Sequence, residues 1–139
     1  MHTAEHILNQ TMDRMFNCGR CFSAHIEKKK SKCDYRFTRE LTAVEVADIQ
    51  TRVNDIIQQD LPVREAYVAR TAAAQMVNTE KLPQDSGDEI RIISIGDYDA
   101  CACIGPHVDT TAKIGAFRIT TTSFDDGVLR IRYKLAPPK

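Results

Sequence analysis

Two matched pairs of metal-binding residue types, one near each end of the chain, constrain its fold more than any other feature. His2 and His6 stand four positions apart, and so do Cys103 and His107. Residues i and i+4 of a helix lie on one face about a turn apart, so two imidazoles can point to one place. Between the second pair lie a glycine and a proline, which favour a tight turn that brings thiolate and imidazole together. A centre shared by both pairs would join the start of the chain to a segment near its end.

Three histidines and one cysteine form a typical zinc ligand set. The first pair alone is weak evidence, because two histidines on a half-polar helix face are usually just solvated. The second pair favours a zinc site or a polar catalytic cluster over that simpler interpretation. A metalloprotease is not indicated, because its general base directly follows the first histidine, whereas Glu5 directly precedes the second.

The same motifs resemble a known family. His-Thr-Ala-x-His at the start, Cys-x-Gly-Pro-His-Val at 103–108 and Thr-x-x-Ile-Gly-x-Phe at 111–117 are similar to the tRNA-editing domain shared by alanyl- and threonyl-tRNA synthetases and stand-alone alanyl-tRNA editing (AlaX-type) proteins. The similarity covers nearly the whole chain. It implies one α+β domain over residues 1–139, in which a mostly antiparallel sheet packs against two main helices, as in the second additional domain of these synthetases.

The resemblance also implies an activity, a cofactor and a partner. The chain is expected to be a trans-editing aminoacyl-tRNA deacylase that hydrolyses mischarged tRNA, with Ser or Gly on alanine tRNA as substrate. One Zn2+ is expected per chain, and the same four residues are its ligands and the catalytic residues: His2, His6, Cys103 and His107. An aminoacyl ester is already activated, so the site needs chiefly to position the ester, polarise its carbonyl or deliver a water.

The role of the zinc stays open at this point, because four protein ligands close a tetrahedral ion whereas catalytic zinc keeps an open position. Either one ligand is loose, or the metal takes a fifth ligand, or zinc orients the substrate while a separate water attacks. In the last case, backbone amides around Gly105 would stabilise the oxyanion.

A non-catalytic module that binds zinc or tRNA, or a fragment of a synthetase editing domain, is the alternative. It is favoured by the start of the chain one residue before His2 and by Cys101, which stands where synthetases usually have an acidic residue. The sequence Gly105-Pro106-His107 also resembles the threonyl form, while alanyl members typically read Gly-Thr-His. The cognate tRNA, alanine or threonine, therefore stays open.

A lysine-rich run is the strongest local basic feature. It lies in the predicted turn of a hairpin formed by residues 22–26 and 33–37, and it comprises Lys28, Lys29, Lys30 and Lys32. Lysines at such a tip can bind phosphates non-specifically, and the resemblance makes them candidates for tRNA phosphate contact. The alternative is a solvated run of charge that blocks aggregation.

Candidate substrate-binding residues lie on the preceding strand and in the second motif. The resemblance places Ser23 and His25 near a polar residue that faces the bound amino acid in relatives, and Gly105 completes the set. His25 is the one histidine outside the zinc set, so it is the spare candidate for a general base near neutral pH. A surface histidine without a catalytic role is the alternative.

Composition limits the partners and the cellular location to be expected for this chain. Lys plus Arg and Asp plus Glu number 19 each, so the chain lacks the overall basic field of many nucleic-acid binders, and any RNA contact must be local. DNA and membranes are not expected partners. Five cysteines, no apolar leader and no membrane-length apolar run favour the cytoplasm. Cys18 and Cys21 are interpreted as structural thiols rather than a redox pair or second zinc site.

Periodicity predicts the main elements. A first helix over 3–16 is expected to keep a core stripe, which includes Leu8 and Met12, separate from a polar stripe that holds the two histidines, Asn9 and Asp13. Asn9 and Asp13 are interpreted as solvated, and support of the imidazoles is the alternative. The other expected elements are a middle helix that begins after Thr42, strands over 61–69 and 90–95, a short helix over 71–77, a loop over 78–88, and a hairpin with strands over 117–124 and 128–135.

Overall fold

The computed structural model describes residues 2–27, 30–69, 89–102 and 107–136. Two α-helices and seven strands follow one another along these residues, with one short 3-10 helix before the last two strands. In chain order they are α1 (His2–Phe16), β1 (Ser23–Ile26), β2 (Lys30–Arg36), α2 (Ala43–Gln58), β3 (Val63–Ala69), β4 (Glu89–Ile95), β5 (Asp99–Ala102), the 3-10 helix (Thr111–Ile114), β6 (Ala116–Asp125) and β7 (Val128–Ala136).

The strands form two antiparallel sheets. The larger has the order β1-β2-β7-β6 and the smaller the order β3-β4-β5. Both helices contribute to one hydrophobic core with the larger sheet, in which Leu8, Ile49 and Tyr133 are completely buried. The expected α+β class with antiparallel strands and two main helices is confirmed. The middle strand of the smaller sheet, β4, is the predicted buried strand, since Ile92, Ile93 and Ile95 are at most 3% exposed.

Helix α2 begins where its capping box places it. The Thr42 side chain accepts a hydrogen bond from the Glu45 backbone N–H, and the Glu45 carboxylate accepts one from the Thr42 N–H. These two bonds satisfy backbone donors that the first turn of a helix leaves without partners. The helix buries Ile49, Val53 and Ile57 against the core.

Helix α1 differs from its prediction, because its polar stripe is not solvated. Asn9 is 2% exposed. Its side chain accepts hydrogen bonds from the Tyr35 hydroxyl at 2.7 Å and the Cys21 backbone N–H at 3.2 Å. The interpretation of Asn9 as solvated was therefore wrong, because Tyr35 of β2 and Cys21 before β1 cover this part of α1.

The two hairpins of the larger sheet are connected by different turns. Asp126 and Gly127, with φ of 48° and 78°, connect β6 to β7, which suits the two-residue turns that match strand twist. In the first hairpin, Ile26 pairs with Ser31, so Lys30 and Lys32 belong to strand β2. The expectation that both lie in the turn was wrong.

Some predicted elements lie outside the described residues, namely the helix over 71–77 and the loop over 78–88. No helix among the described residues is long and apolar enough to cross a membrane.

Candidate metal-binding and catalytic site

The three histidines of the predicted zinc set meet where the start of α1 approaches the segment that follows β5. The ring centres of His6 and His107 are 4.8 Å apart, and those of His2 and His107 are 6.1 Å apart. His6 is 3% exposed, whereas His2 and His107 are half-buried. Residues from opposite ends of the chain thus form one imidazole cluster, with His107 next to both others.

These separations fit a shared zinc ion. At a Zn–N distance of about 2.1 Å, two imidazoles on a tetrahedral zinc have ring centres about 5 Å apart. The distance between His6 and His107 matches this value, and the distance between His2 and His107 is somewhat longer. Among the described residues, no three His, Cys, Asp or Glu side chains form a complete metal-binding group. The fourth predicted ligand, Cys103, lies outside them.

Burial keeps the two inner imidazoles neutral. Loss of solvent, then the positive charge of Arg20 and the neighbouring histidines, lowers the pKa of His6 to about 3. Loss of solvent, then Arg91 and His2, lowers the pKa of His107 to about 4. Neutral imidazole is the form that binds metals, whereas a base with so low a pKa is inefficient near neutral pH. Their electrostatics favour a ligand role over general base catalysis.

A buried ion pair lies behind His6. Asp99, at the start of β5, accepts hydrogen bonds of 2.8 and 3.3 Å from the Arg20 guanidinium. It also accepts a 3.4 Å hydrogen bond from Gln10 Nε2, and it lies 3.6 Å from His6 Nδ1, which is too long for a hydrogen bond. His6 Nδ1 is buried and has no hydrogen-bond partner among the described residues. A carboxylate that accepts a hydrogen bond from one ring nitrogen leaves the other for a metal, and Asp99 lies on the Nδ1 side of His6 just beyond that distance.

Thr3 holds the second inner histidine. Its hydroxyl lies 2.8 Å from His107 Nδ1 and accepts a 3.4 Å hydrogen bond from the Val108 backbone N–H. Thr3 is 1% exposed, so the contact is protected from water. With Nδ1 engaged, Nε2 is the nitrogen through which His107 would bind a metal.

The other predicted site residues divide into two groups. Ser23 and His25 lie exposed on β1, where His25 Nε2 is 2.8 Å from Glu27 Oε1. Lys30 and Lys32 lie on β2, and His25, Lys30 and Lys32 line one cleft with residues of β7. Four predicted positions lie outside the described residues: Lys28, Lys29, Cys103 and Gly105.

Sequence reasoning missed three residues that hold the histidines: Thr3, Arg20 and Asp99. Thr3 stands inside the His-Thr-Ala-x-His motif, so a signal for it was present. Asp99 lies two positions before Cys101, and alternate residues of a strand share a side. Strand β5 therefore carries a carboxylate at Asp99, although Cys101 stands at the position where synthetases usually have an acidic residue.

Acid is expected to destabilise the metal-free protein. An unfolded histidine takes up its proton near pH 6.5, whereas folded His6 and His107 do so only near pH 3 and pH 4. Below pH 6.5 the unfolded state therefore binds more protons, and the free energy of unfolding falls by at most about 1.4 kcal/mol per pH unit for each histidine.

Urea unfolding in the presence of a chelator, from pH 7 down to about pH 5, measures this slope above the range where ordinary carboxylates titrate. His6→Gln should reduce the slope by about half. A stability that does not change over this range would contradict the burial of neutral histidines.

Two comparisons relate the chain to known proteins. Residues 90–132 match the family described as threonyl and alanyl tRNA synthetase second additional domain. This stretch begins in β4, crosses the His107 segment and ends in β7.

Relatives that match nearly the whole of this chain include alanine–tRNA ligases. The protein of Caldicellulosiruptor saccharolyticus is 33% identical over 132 residues, which cover 94% of this chain and 15% of that protein. The enzyme of Methanopyrus kandleri is 30% identical over 95% of this chain, and that of Methanocella arvoryzae 31% over 96%. The chain spans about 15% of the length of these relatives.

Proposed function

Because the chain is related to the second additional domain of threonyl and alanyl tRNA synthetases, we propose that it is a zinc-dependent deacylase. It hydrolyses the ester of mischarged tRNA, with Ser or Gly on alanine tRNA as substrate. The observation that carries the proposal is the neutral pair His6 and His107, with ring centres 4.8 Å apart in the two motifs that define the resemblance. Because its relatives include alanine–tRNA ligases, alanine tRNA is favoured over threonine tRNA as the substrate of this chain. A cytoplasmic location accords with such a role.

His6, His107, His2 and Cys103 would hold the zinc in this proposal. Bound zinc would supply a Lewis acid that polarises the ester carbonyl or orients the substrate. The chain's own residues provide the orientation: Asp99 faces Nδ1 of His6, and Thr3 engages Nδ1 of His107. The His107 ring is then held by its hydrogen bond and the His6 ring by its burial, so little reorganisation is needed during the reaction. His2 is the weakest expected ligand, because it begins α1 and its ring lies farther from that of His107 than the ring of His6 does.

A deacylation assay with Ser-, Gly- and Ala-charged alanine tRNA tests the function. We expect Ser-tRNA to be hydrolysed roughly ten- to hundred-fold faster than Ala-tRNA, because alanine would leave the buried partner of the serine hydroxyl without a hydrogen bond. Chelation should abolish turnover, and added zinc should restore it, with about one zinc per chain by metal analysis.

Two outcomes would contradict the proposal. Equal hydrolysis of correctly and incorrectly charged tRNA would remove the editing assignment. Absence of turnover, together with unfolding on chelation, would instead support the non-catalytic module, because binding energy at a structural zinc is largely folding energy.

A further inference from the structure

The outer face of the larger sheet concentrates positive charge in a chain with no net charge. Residues of β2 and β7 alternate between the core and this face: Cys33, Ile131 and Tyr133 point inward and are completely buried. The residues between them point outward. Seven outward residues on β2, β6 and β7 are basic: Lys30, Lys32, Arg36, Arg118, Arg130, Arg132 and Lys134. We call this set the basic face.

The strand register places like charges directly opposite one another. Lys30 pairs with Lys134, and Lys32 pairs with Arg132. On the other side of β7, Arg118 of β6 pairs with Lys134 as well. Like charges at opposed positions of an antiparallel sheet are destabilising. A purely structural role therefore does not explain the arrangement, which is relieved when an anion neutralises it.

Few carboxylates of this chain neutralise the basic face. Asp34 accepts hydrogen bonds of 2.8 and 3.0 Å from Arg130, which removes that one arginine from the balance. Among the described residues, no carboxylate lies within salt-bridge distance of Lys30, Lys32, Arg132 or Lys134. These four line a cleft of about 260 Å³ with His25, Glu27, Ser31 and Thr120.

The shape and composition of the basic face select the form of the anion. Neighbouring strands lie about 4.8 Å apart and alternate residues about 7 Å apart, so the cations form a broad grid rather than one point. Single-stranded nucleic acid is held by aromatic side chains on which bases stack. The outward residues of β2, β6 and β7 include none, and the exposed ring of Phe22 beside β2 already has the Arg36 guanidinium over it, 4.6 Å from the ring centre. Basic side chains without stacking groups suit the phosphate backbone of a double helix.

We propose that the basic face is a docking surface for the phosphate backbone of double-helical RNA. This inference rests on the proposed function for its occupant, the paired stem of the tRNA whose ester is cut. We expect the surface to read charge and not sequence, because contacts with phosphates carry no sequence information. It extends the predicted lysine contacts of the hairpin to Arg132 and Lys134 of β7, which no sequence motif indicates.

Binding of a short RNA duplex, measured by fluorescence anisotropy at several salt concentrations, tests the surface. The double variant Lys32→Gln, Arg132→Gln should weaken binding about tenfold per residue at about 0.1 M salt, and should reduce the salt slope by about 1 per residue. It should still fold, because it removes a like-charge pair. A single-stranded RNA of equal length should bind more weakly than the duplex.

The matched control removes two charges elsewhere. Arg52→Gln with Lys113→Gln changes net charge equally, and both residues are exposed, on α2 and the 3-10 helix. These elements cover the opposite side of the sheet, so duplex binding and salt slope should remain those of the wild type. Equal loss in the control variant would show a non-specific effect of net charge and would overturn the docking surface.

Failure of this inference is distinguishable from failure of the proposed function. An unchanged salt slope in the double variant, or equal binding of single-stranded RNA, overturns the docking surface even when tRNA is deacylated. Salt-dependent duplex binding that the double variant loses, in a protein without deacylation, supports the surface and removes the activity. Hydrolysis of an aminoacyl ester on a trinucleotide too short to form a stem should be equal in wild type and double variant.

Discussion

His6→Ala is expected to reduce hydrolysis of Ser-charged alanine tRNA by about 10²-fold or more. His6 is the most deeply buried of the three clustered imidazoles, and its ring lies 4.8 Å from that of His107. Loss of a ligand on which Lewis-acid catalysis depends removes several kcal/mol of transition-state stabilisation. Zinc affinity should fall in the same variant. Single-turnover deacylation rates and competition with a chromophoric chelator measure the two effects.

Ile7→Val provides the matched control in the next position of the same helix. Ile7 is completely buried, so its truncation should cost about 0.5 to 1.5 kcal/mol of stability but leave zinc binding and the deacylation rate unchanged at a temperature well below unfolding. His6→Ala protein that stays folded and fully active would show that the imidazole cluster takes no part in the reaction. Equal loss of activity in both variants would trace the effect to the helix and not to the ring.

Local features of the fold could be predicted because their causes lie within a few residues. The capping box of Thr42 and Glu45 marks the start of α2, since both partners stand three positions apart. Asp126 and Gly127 mark the last hairpin for the same reason. The β-branched run of β4 also identified a buried strand, because continuous apolar sequence requires cover on both faces.

The support of the site could not be predicted, because it depends on contacts between distant parts of the chain. Thr3 and His107 are 104 positions apart, and Arg20 and Asp99 are 79 apart. No periodicity links such residues. Asn9 shows the same limit: its spacing indicated a solvated stripe, and only the tertiary contacts of Tyr35 and Cys21 make that stripe part of the interior.

The basic face illustrates a property that exists only after strands pair. Lys32 and Arg132 lie 100 positions apart by their numbers in the chain, and equal totals of acidic and basic residues conceal their proximity. The register of β2 against β7 brings them together. Net charge therefore excluded a global field but could not exclude a local one, in accord with the expectation that RNA contact is local.

Asp99→Asn is expected to affect stability and metal binding together. The Asp99 side chain is 1% exposed and is paired with Arg20, which is 25% exposed. Removing one partner of a buried ion pair leaves an uncompensated charge, so the free energy of unfolding should fall by about 2 to 4 kcal/mol. The neutral amide would also face His6 Nδ1 in place of a carboxylate. Zinc affinity should therefore fall about 10- to 100-fold.

Asp34→Asn is the matched control for stability, because Asp34 forms the same two-bond pair with Arg130, and both side chains of this pair are more exposed, at 10% and 35%. The cost of losing one partner falls as the pair becomes more exposed, so this variant should lose less stability than Asp99→Asn and no zinc affinity. Urea unfolding in the presence of a chelator measures the loss of stability in each variant. Zinc competition, at a temperature where both variants are folded, measures the loss of zinc affinity. Asp99→Asn protein with reduced stability but wild-type zinc affinity would assign Asp99 to the architecture alone. Reduced zinc affinity in the folded variant would identify the carboxylate as the group that orients His6.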